Sequence, residues 1–482
     1  MRPSLKIWIY YIIIAGIVLI LNQWLPVTIN LSQLNWETNH ESTITSADTV
    51  ELIAFPLPLV DTLFVKDTLT IPISKDSIPN DTVIKQSHLS VKPAFLAELK
   101  TLHRKLSTAK DSGKIIRILH LGDSQIEGDR ITRYLRESFQ ELFGGSGPGL
   151  TTVYDPSRMN PSIWLNNAGD WHLRSVYDRK HHLADKTYGV MGVVAELSKK
   201  EKGNVKISRS PWAETHAANY QKIRLFIAPH KDTLRIRGDI KKTVVINDTL
   251  LPSKALTEIN WEFTQLSPTL KMNFESNDAV RILGCALDST AGIAVDNIAL
   301  RGQSTPLLHR TDGEVFEAMA EHLNVGMIIF QFGTNMIPTV ANNYSFYKKI
   351  LSRQFHLLET YLPNIPVVVI GIADAAHLDE GEIKSYDHLT KIRDAQKQVT
   401  LEHGFAFFDL YEAMGGKGSI IKWANTDPPR ALSDYIHFTK RGGKEAAKLI
   451  WSPLKEQFSE SEKDPLPTLD VTLLSDSLQW NK

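Results

Sequence analysis

Apolar residues fall along the chain in three textures, and each predicts a different kind of structure. The first is a single run from Ile7 to Leu21, extended past Asn22 and Gln23 by Trp24 and Leu25. It matches the roughly 20 residues needed to cross a bilayer, with aromatic residues near both ends. The second texture is a short apolar run, a turn and then a helical period. Residues 115–121 predict a strand, Gly122-Asp123-Ser124 a turn, and residues 129–143 a helix with Ile131, Tyr134, Leu135, Phe139 and Leu142 on one face. Further strands are predicted at 327–332, 366–372 and 405–410, and helices at 93–106, 344–361, 384–402 and 440–451. Strands alternating with helices imply an α/β fold with a mainly parallel sheet covered on both faces. The third texture, at 150–290, is period-two alternation, as in 222–227, 233–237 and 243–246. It predicts a β-sandwich inserted into the α/β body, although antiparallel hairpins on the main sheet would look the same.

These textures divide the chain into a membrane anchor at 1–25, a tether at 26–92, a split α/β domain at 93–149 and 291–458, the inserted module at 150–290, and a tail at 459–482. The tether is rich in Ser, Thr, Asp and Pro and lacks the apolar area to offset its ordering entropy. Arg2 and Lys6 on the short leading side favour that side remaining cytoplasmic, which sends the rest across the membrane. A cleaved signal peptide is the alternative, but no small-residue cleavage site follows the apolar run. The tail, with Pro465, Pro467 and scattered Leu, fits either disorder or docking on the body.

Composition narrows the function. Over 482 residues, 54 Lys+Arg balance 54 Asp+Glu, which argues against nucleic acid as a partner, because neutralising phosphates needs a basic surplus. The single cysteine, Cys285, excludes an internal disulfide and a thiolate-only zinc site. His172, His181 and His182 lack the spacing of a recognised metal-ligand set and read as surface histidines.

Chemistry is concentrated at strand ends. Ser124 follows a buried strand, where its hydroxyl would stand above the carboxyl edge of the sheet. On its own it reads first as a helix cap, beside helix-start N–H groups able to hold a negative oxygen. Asp434 and His437, at i and i+3, can share one face of a helical turn, and a carboxylate beside an imidazole makes a general base for a Ser hydroxyl. A solvated loop pair is the plain alternative. Asn335, in Gly333-Thr334-Asn335, and Gly302 also follow strands and can donate to a substrate oxygen. Asp374 and His377 lie at a sheet edge that would border the cleft, and suggest substrate contact.

Gly122-Asp123-Ser124, Gly302, Gly333-Thr334-Asn335 and Asp434-x-x-His437, in that order, resemble the four sequence blocks of the SGNH, or GDSL, hydrolase superfamily. The resemblance covers about 114–143 and 293–451. It implies a three-layer α/β/α sandwich, with Ser124 as nucleophile, His437 as base and Asp434 as its partner. The Ser124 N–H, the Gly302 N–H and the Asn335 amide would form the oxyanion hole, and no metal or organic cofactor is required. Met336 stands where the family often has Asp, which puts local support of that loop in question. An anchored enzyme with a β-rich insertion between the first two blocks looks like the bacterial peptidoglycan or polysaccharide O-acetylesterases, in which the insertion resembles a carbohydrate-binding module. The expected partner is an acetylated glycan, met in the periplasm. An O-acetyltransferase would use the same triad, and a noncatalytic glycan-binding envelope protein would need none of it. Trp164, Trp171, Trp212 and Trp261 fall in the insertion, as core residues or as platforms for sugar rings.

Overall fold

The computed structural model describes residues 84–157, 159–264 and 269–463, which belong to one compact unit. The apolar run at 1–25, most of the tether and the tail after 463 lie outside the described residues. Among the described residues, no helix is long and apolar enough to cross a membrane.

The body is built on seven strands: β1 (Ile84–Gln86), β2 (Leu89–Val91), β3 (Ile115–Gly122), β4 (Gly292–Ala299), β5 (Val325–Gln331), β6 (Val367–Ile370) and β7 (Ala406–Phe408). Their order across the sheet is β1-β2-β7-β6-β5-β3-β4. The five strands from β7 to β4 are parallel, and the β1–β2 hairpin closes one edge antiparallel. Every residue of β3 is buried, as expected of a parallel strand covered on both faces. Ile116 and Ile118 face one layer and Leu119 and Leu121 the other.

The first layer holds α1 (Pro93–Ala109) and α2 (Thr132–Phe143), packed through Phe95, Leu99, Leu135 and Phe139. The second holds α3 (Gly313–Leu323), α4 (Ser345–Tyr361) and α5 (Leu389–Glu402), packed through Phe316, Tyr347, Phe355 and Ile392. The last helix, α6 (Lys440–Lys463), returns to the first layer through Ala446, Ala447 and Ile450. Gly443 allows its first turn to lie against the Arg130 carbonyl, where a Cβ would collide. The fold is the expected α/β/α sandwich.

Four sequence boundaries move. The tether ends earlier than residue 92, because β1 and β2 pair into the sheet. The helix read at 129–143 starts at Thr132, since Gly128 and Asp129 adopt φ of +67° and +59°, and Leu142 is 46% exposed rather than packed. The helix read at 384–402 is instead the hairpin strand Glu382–Ser385, paired with Ala376–Asp379, followed by α5. The last helix, read as 440–451, continues to Lys463, past the domain end drawn at 458.

The insertion is a β-sandwich of two antiparallel sheets. One runs Thr243–Leu250, Leu234–Ile240, Thr269–Glu275, Lys202–Arg209, Ile163–Ala168. The other runs Thr257–Glu262, Lys222–Ile227, Val280–Asp288, Val193–Leu197, Trp171–Ser175, with Gly149–Thr151 also paired to Val280–Asp288. Val205, Ile207, Ile236 and Phe274 from the first sheet meet Leu225, Ile282 and Leu287 from the second. The second sheet's other face gives Phe226, Leu283 and Ala286 to the same core as Phe316 and Met319 of α3. The sandwich therefore shares a core with the α/β body. A buried ion cluster reinforces the joint: Arg117 of β3 bonds Asp288 of the insertion and, at 2.6 Å, Asp296 of β4.

Candidate active site

Ser124 lies in the turn that follows β3, the strand flanked by β5 and the edge strand β4. It does not cap a helix, because seven residues of turn and 3-10 structure separate it from α2 at Thr132. The turn is held from beneath by Asp123, which is wholly buried. One Asp123 carboxylate oxygen accepts from the Gln125 N–H at 2.9 Å and the other from the Thr334 N–H at 3.0 Å, which couples the Ser turn to the loop after β5. Burial pushes the Asp123 carboxyl upward, against those hydrogen bonds and the nearby His437.

His437 comes to Ser124 from the loop just ahead of α6. Its Nε2 is 2.8 Å from Ser124 Oγ, and its Nδ1 is 2.8 Å from Asp434 Oδ2. The i,i+3 spacing works through a turn and not a helix, with Tyr435 at φ +54°. The other Asp434 oxygen accepts from the Ile436 and His437 N–H groups at 2.9 and 3.0 Å. Partial burial acts to raise the Asp434 pKa, but the bonds from His437 and Ile436 outweigh it and hold the carboxyl below its ordinary value. The carboxylate can therefore fix the imidazole tautomer that leaves Nε2 facing the hydroxyl.

Two residues absent from the sequence reading complete this geometry. Gln125, 3% exposed, donates from Nε2 to the Ile436 carbonyl at 2.9 Å and accepts from the Phe438 N–H at 3.1 Å, gripping the backbone on both sides of His437. Arg130 donates to the Ser124 carbonyl at 2.9 Å. Burial lowers the guanidinium pKa against the opposing pull of Glu127, Asp434 and Asp123.

Asn335 sits in the one-turn 3-10 segment Thr334–Met336 after Gly333, whose φ of +128° suits glycine. Its Nδ2 donates to the Gln303 carbonyl at 2.9 Å, which joins this loop to the one carrying Gly302. That bond uses one of the two amide hydrogens and leaves the second for another acceptor. Gly302 itself lies three residues past β4 with φ +76° and is exposed. Met336 is buried in the body's core, so apolar packing and the Thr334–Asp123 bond support this loop where the family often has Asp.

The remaining candidates separate cleanly. Asp374 is fully buried and accepts from Ser385, Ser419 and the Ile420 N–H, so it braces the hairpin rather than facing a cleft. His377 stacks on Tyr386 with ring centroids 4.1 Å apart. His172 and His181 pair with Asp170 and Asp178 at the surface, and no group of residues able to hold a metal ion occurs among the described residues. Trp171 is core, Trp261 donates to Asp248 at 2.6 Å, and Trp164 and Trp212 are 51% and 69% exposed. Cys285 is buried, and burial pushes its thiol up to about 12.

The layer order, the Ser turn beyond β3 and the His loop ahead of the last helix give the hydrolase-like α/β/α arrangement that the SGNH/GDSL resemblance implies. No family model matches the chain, and no curated protein matches it. Among solved structures, a peptidoglycan O-acetylesterase is similar with a TM-score of 0.60 and 18% identity, over 77% of this chain and 99% of that one. A GDSL-like lipase from Parabacteroides merdae matches with a TM-score of 0.27 and 15% identity, over 34% of this chain and 74% of its own. A family two carbohydrate esterase from Cellvibrio japonicus matches at 0.23 and 8%, over 62% and 98%. The fold assignment rests on the first of these together with the parallel sheet itself.

Proposed function

We propose that this protein is an extracytoplasmic serine esterase that removes O-acetyl groups from peptidoglycan or another polysaccharide through an acyl-enzyme. The observation that carries the reading is the continuous chain from Ser124 Oγ through His437 to Asp434, two bonds of 2.8 Å each. In this reading His437 Nε2 takes the Ser124 proton as Oγ attacks the acetyl carbonyl. The oxyanion is held by the Ser124 and Gly302 N–H groups and the free amide hydrogen of Asn335. His437 then returns its proton to the departing sugar hydroxyl, and a water activated by the same imidazole releases acetate and regenerates Ser124. Asp434 stabilises the imidazolium in both halves. The apolar run at 7–25 supports attachment to a membrane, with Arg2 and Lys6 on the cytoplasmic side. Likeness in fold to a peptidoglycan O-acetylesterase favours a glycan ester over a lipid ester.

The test is acetate release by the purified full chain from O-acetylated peptidoglycan and from an acetylated plant polysaccharide, beside Ser124→Ala. Release from either polymer, abolished in the variant, is the expected result. A folded protein whose Ser124 reacts with a serine-directed acylating probe but releases no acetate without an added sugar acceptor would make it a transferase. An unreactive Ser124 would leave only a binding role.

A further inference from the structure

The outward face of the sandwich's five-stranded sheet carries an electrostatic arrangement that sheets ordinarily avoid. Lys206 and Lys271 are direct cross-strand partners on that face, both exposed. Like charges opposite one another in a sheet repel and destabilise the pairing. Nearby residues of the same face neutralise each other: Lys202 pairs with Glu275 at 3.3 Å, and Arg237 with Asp239 at 3.8 Å. Among the described residues, Lys206 and Lys271 make no ion pair, and neither do Lys241 and Lys242 beside them.

The backbone adds a second observation. Lys241 and Lys242 form the two-residue loop between Leu234–Ile240 and Thr243–Leu250, with φ of +48° and +69°. Such loops favour Asn-Gly, because side chains at positive φ are strained. Here both positions are given to lysine, at the rim of a concavity of about 770 Å3 lined by Asn204, Lys206, Asp239, Lys241, Lys242, Thr269 and Lys271. One acid, Asp239, faces four lysines; it lies directly across from Lys271 and already sits 3.8 Å from Arg237, so a single carboxylate is shared by five cations. Along the same face, Asn204 and Asn273 pair their amides at 2.9 Å, and the edge strand presents Asn166 and the exposed indole of Trp164 opposite Lys206 and Ser208.

We propose that this face binds an anionic glycan, with its carboxylates seated between Lys206 and Lys271 and a neighbouring sugar ring on Trp164. The lysines supply the charge, the amides match sugar hydroxyls, and an indole offers the flat apolar face of a ring platform. The choice of a glycan over other polyanions rests in part on the esterase reading; the anion site itself does not, since binding here requires no Ser124.

Affinity electrophoresis or calorimetry of the full chain against polygalacturonate, with neutral dextran as comparison, tests it. Polygalacturonate is expected to bind, to weaken as salt rises from about 0.05 to about 0.5 M as screening shortens the reach of charge, and to lose about tenfold or more in the double variant Lys206→Gln/Lys271→Gln. Dextran is expected to bind weakly or not at all. Trp164→Ala is expected to weaken binding while preserving its salt dependence. Equal affinity in the double variant, or no binding by the native protein, overturns the site. Tighter retention of single-stranded DNA or of anionic vesicles than of polygalacturonate overturns the glycan assignment. Hydrolysis of a small acetyl ester by the double variant is expected to equal that of the native protein, so failure of the glycan face and failure of the esterase reading are read in separate assays.

Discussion

Gln125 offers the sharpest perturbation of the proposed site, because it touches the loop of His437 without touching the triad. Its amide donates to the Ile436 carbonyl and accepts from the Phe438 N–H, so both bonds fall on the peptides that bracket the imidazole. Gln125→Leu keeps the volume and removes both. Phe438 is completely buried, so its orphaned N–H bears a full desolvation cost of about 1–3 kcal/mol. Ile436 is partly exposed, and water can recover some of its bond, leaving a cost of about 0.5–1.5 kcal/mol. The native loop geometry is then disfavoured by about 1.5–4.5 kcal/mol, the sum of those two losses. The loop retains other ties, the Leu432 N–H to His437 carbonyl bond of 2.8 Å and the Ala376 N–H to Tyr435 carbonyl bond of 3.0 Å, so relaxation shifts it rather than unfolding it. A shift near 1 Å in a catalytic base lowers turnover on the order of a hundredfold. The expected result is kcat on a small acetyl ester reduced about a hundredfold, with KM within about threefold of the native value. The rate of Ser124 labelling by a fluorophosphonate is expected to fall in parallel, since that reaction also needs the base. Native kcat in a variant that has lost the stability would show that the clamp supports the fold alone and refute the positioning argument.

If Asn335 donates to the oxyanion as proposed, Asn335→Ala is expected to fold normally and lose on the order of a hundred- to a thousandfold in kcat; unchanged turnover removes Asn335 from the site. His120, buried in β3 between Thr132 and Gln331, has its pKa pushed by burial from 6.5 down to about 3. The unfolded chain therefore binds the proton first, so this residue's contribution is full above about pH 6.5 and is lost as pH falls toward 3. Between pH 7 and pH 5 the loss is about 2 kcal/mol, and denaturant midpoints of His120→Gln should fall less over that interval than those of the native protein; equal acid sensitivity refutes the assignment. Arg117→Met strands Asp288 and Asp296 in the core and is expected to cost about 3–5 kcal/mol by denaturant melts, whereas a change under about 1 kcal/mol would mean that the cluster is already balanced without it.

What the sequence displays and what it hides follow from the range of the interactions involved. Ser124 and the Asp434–His437 pair are legible because each is written locally, one at the end of an apolar run and the other as two residues three apart. The layers are legible for the same reason, since burial on both faces of β3 makes an unbroken hydrophobic run. Gln125 leaves no such trace, because its role is a pair of bonds to residues 311 and 313 positions away, made with backbone groups that any residue would carry. Arg117 hides more deeply: in the strand pattern it reads as an interruption, yet partners 171 and 179 residues on make it the charged link between the body and the insertion. Residues 222–227 held a usable sign, since an inner run of Ile-Arg-Leu-Phe-Ile is too apolar for a strand with one wet face. That strand belongs to a sheet packed on both sides, and recognising it would have joined the insertion to the α/β core from sequence. The outer sheet gives the converse case. Lys206 and Lys271 lie 65 positions apart in chains of clean alternation, and their alternation correctly predicts exposure. Only the register between strands sets them side by side, so the like-charged pair becomes visible once pairing is known, and with it the reason to test that face for an anion.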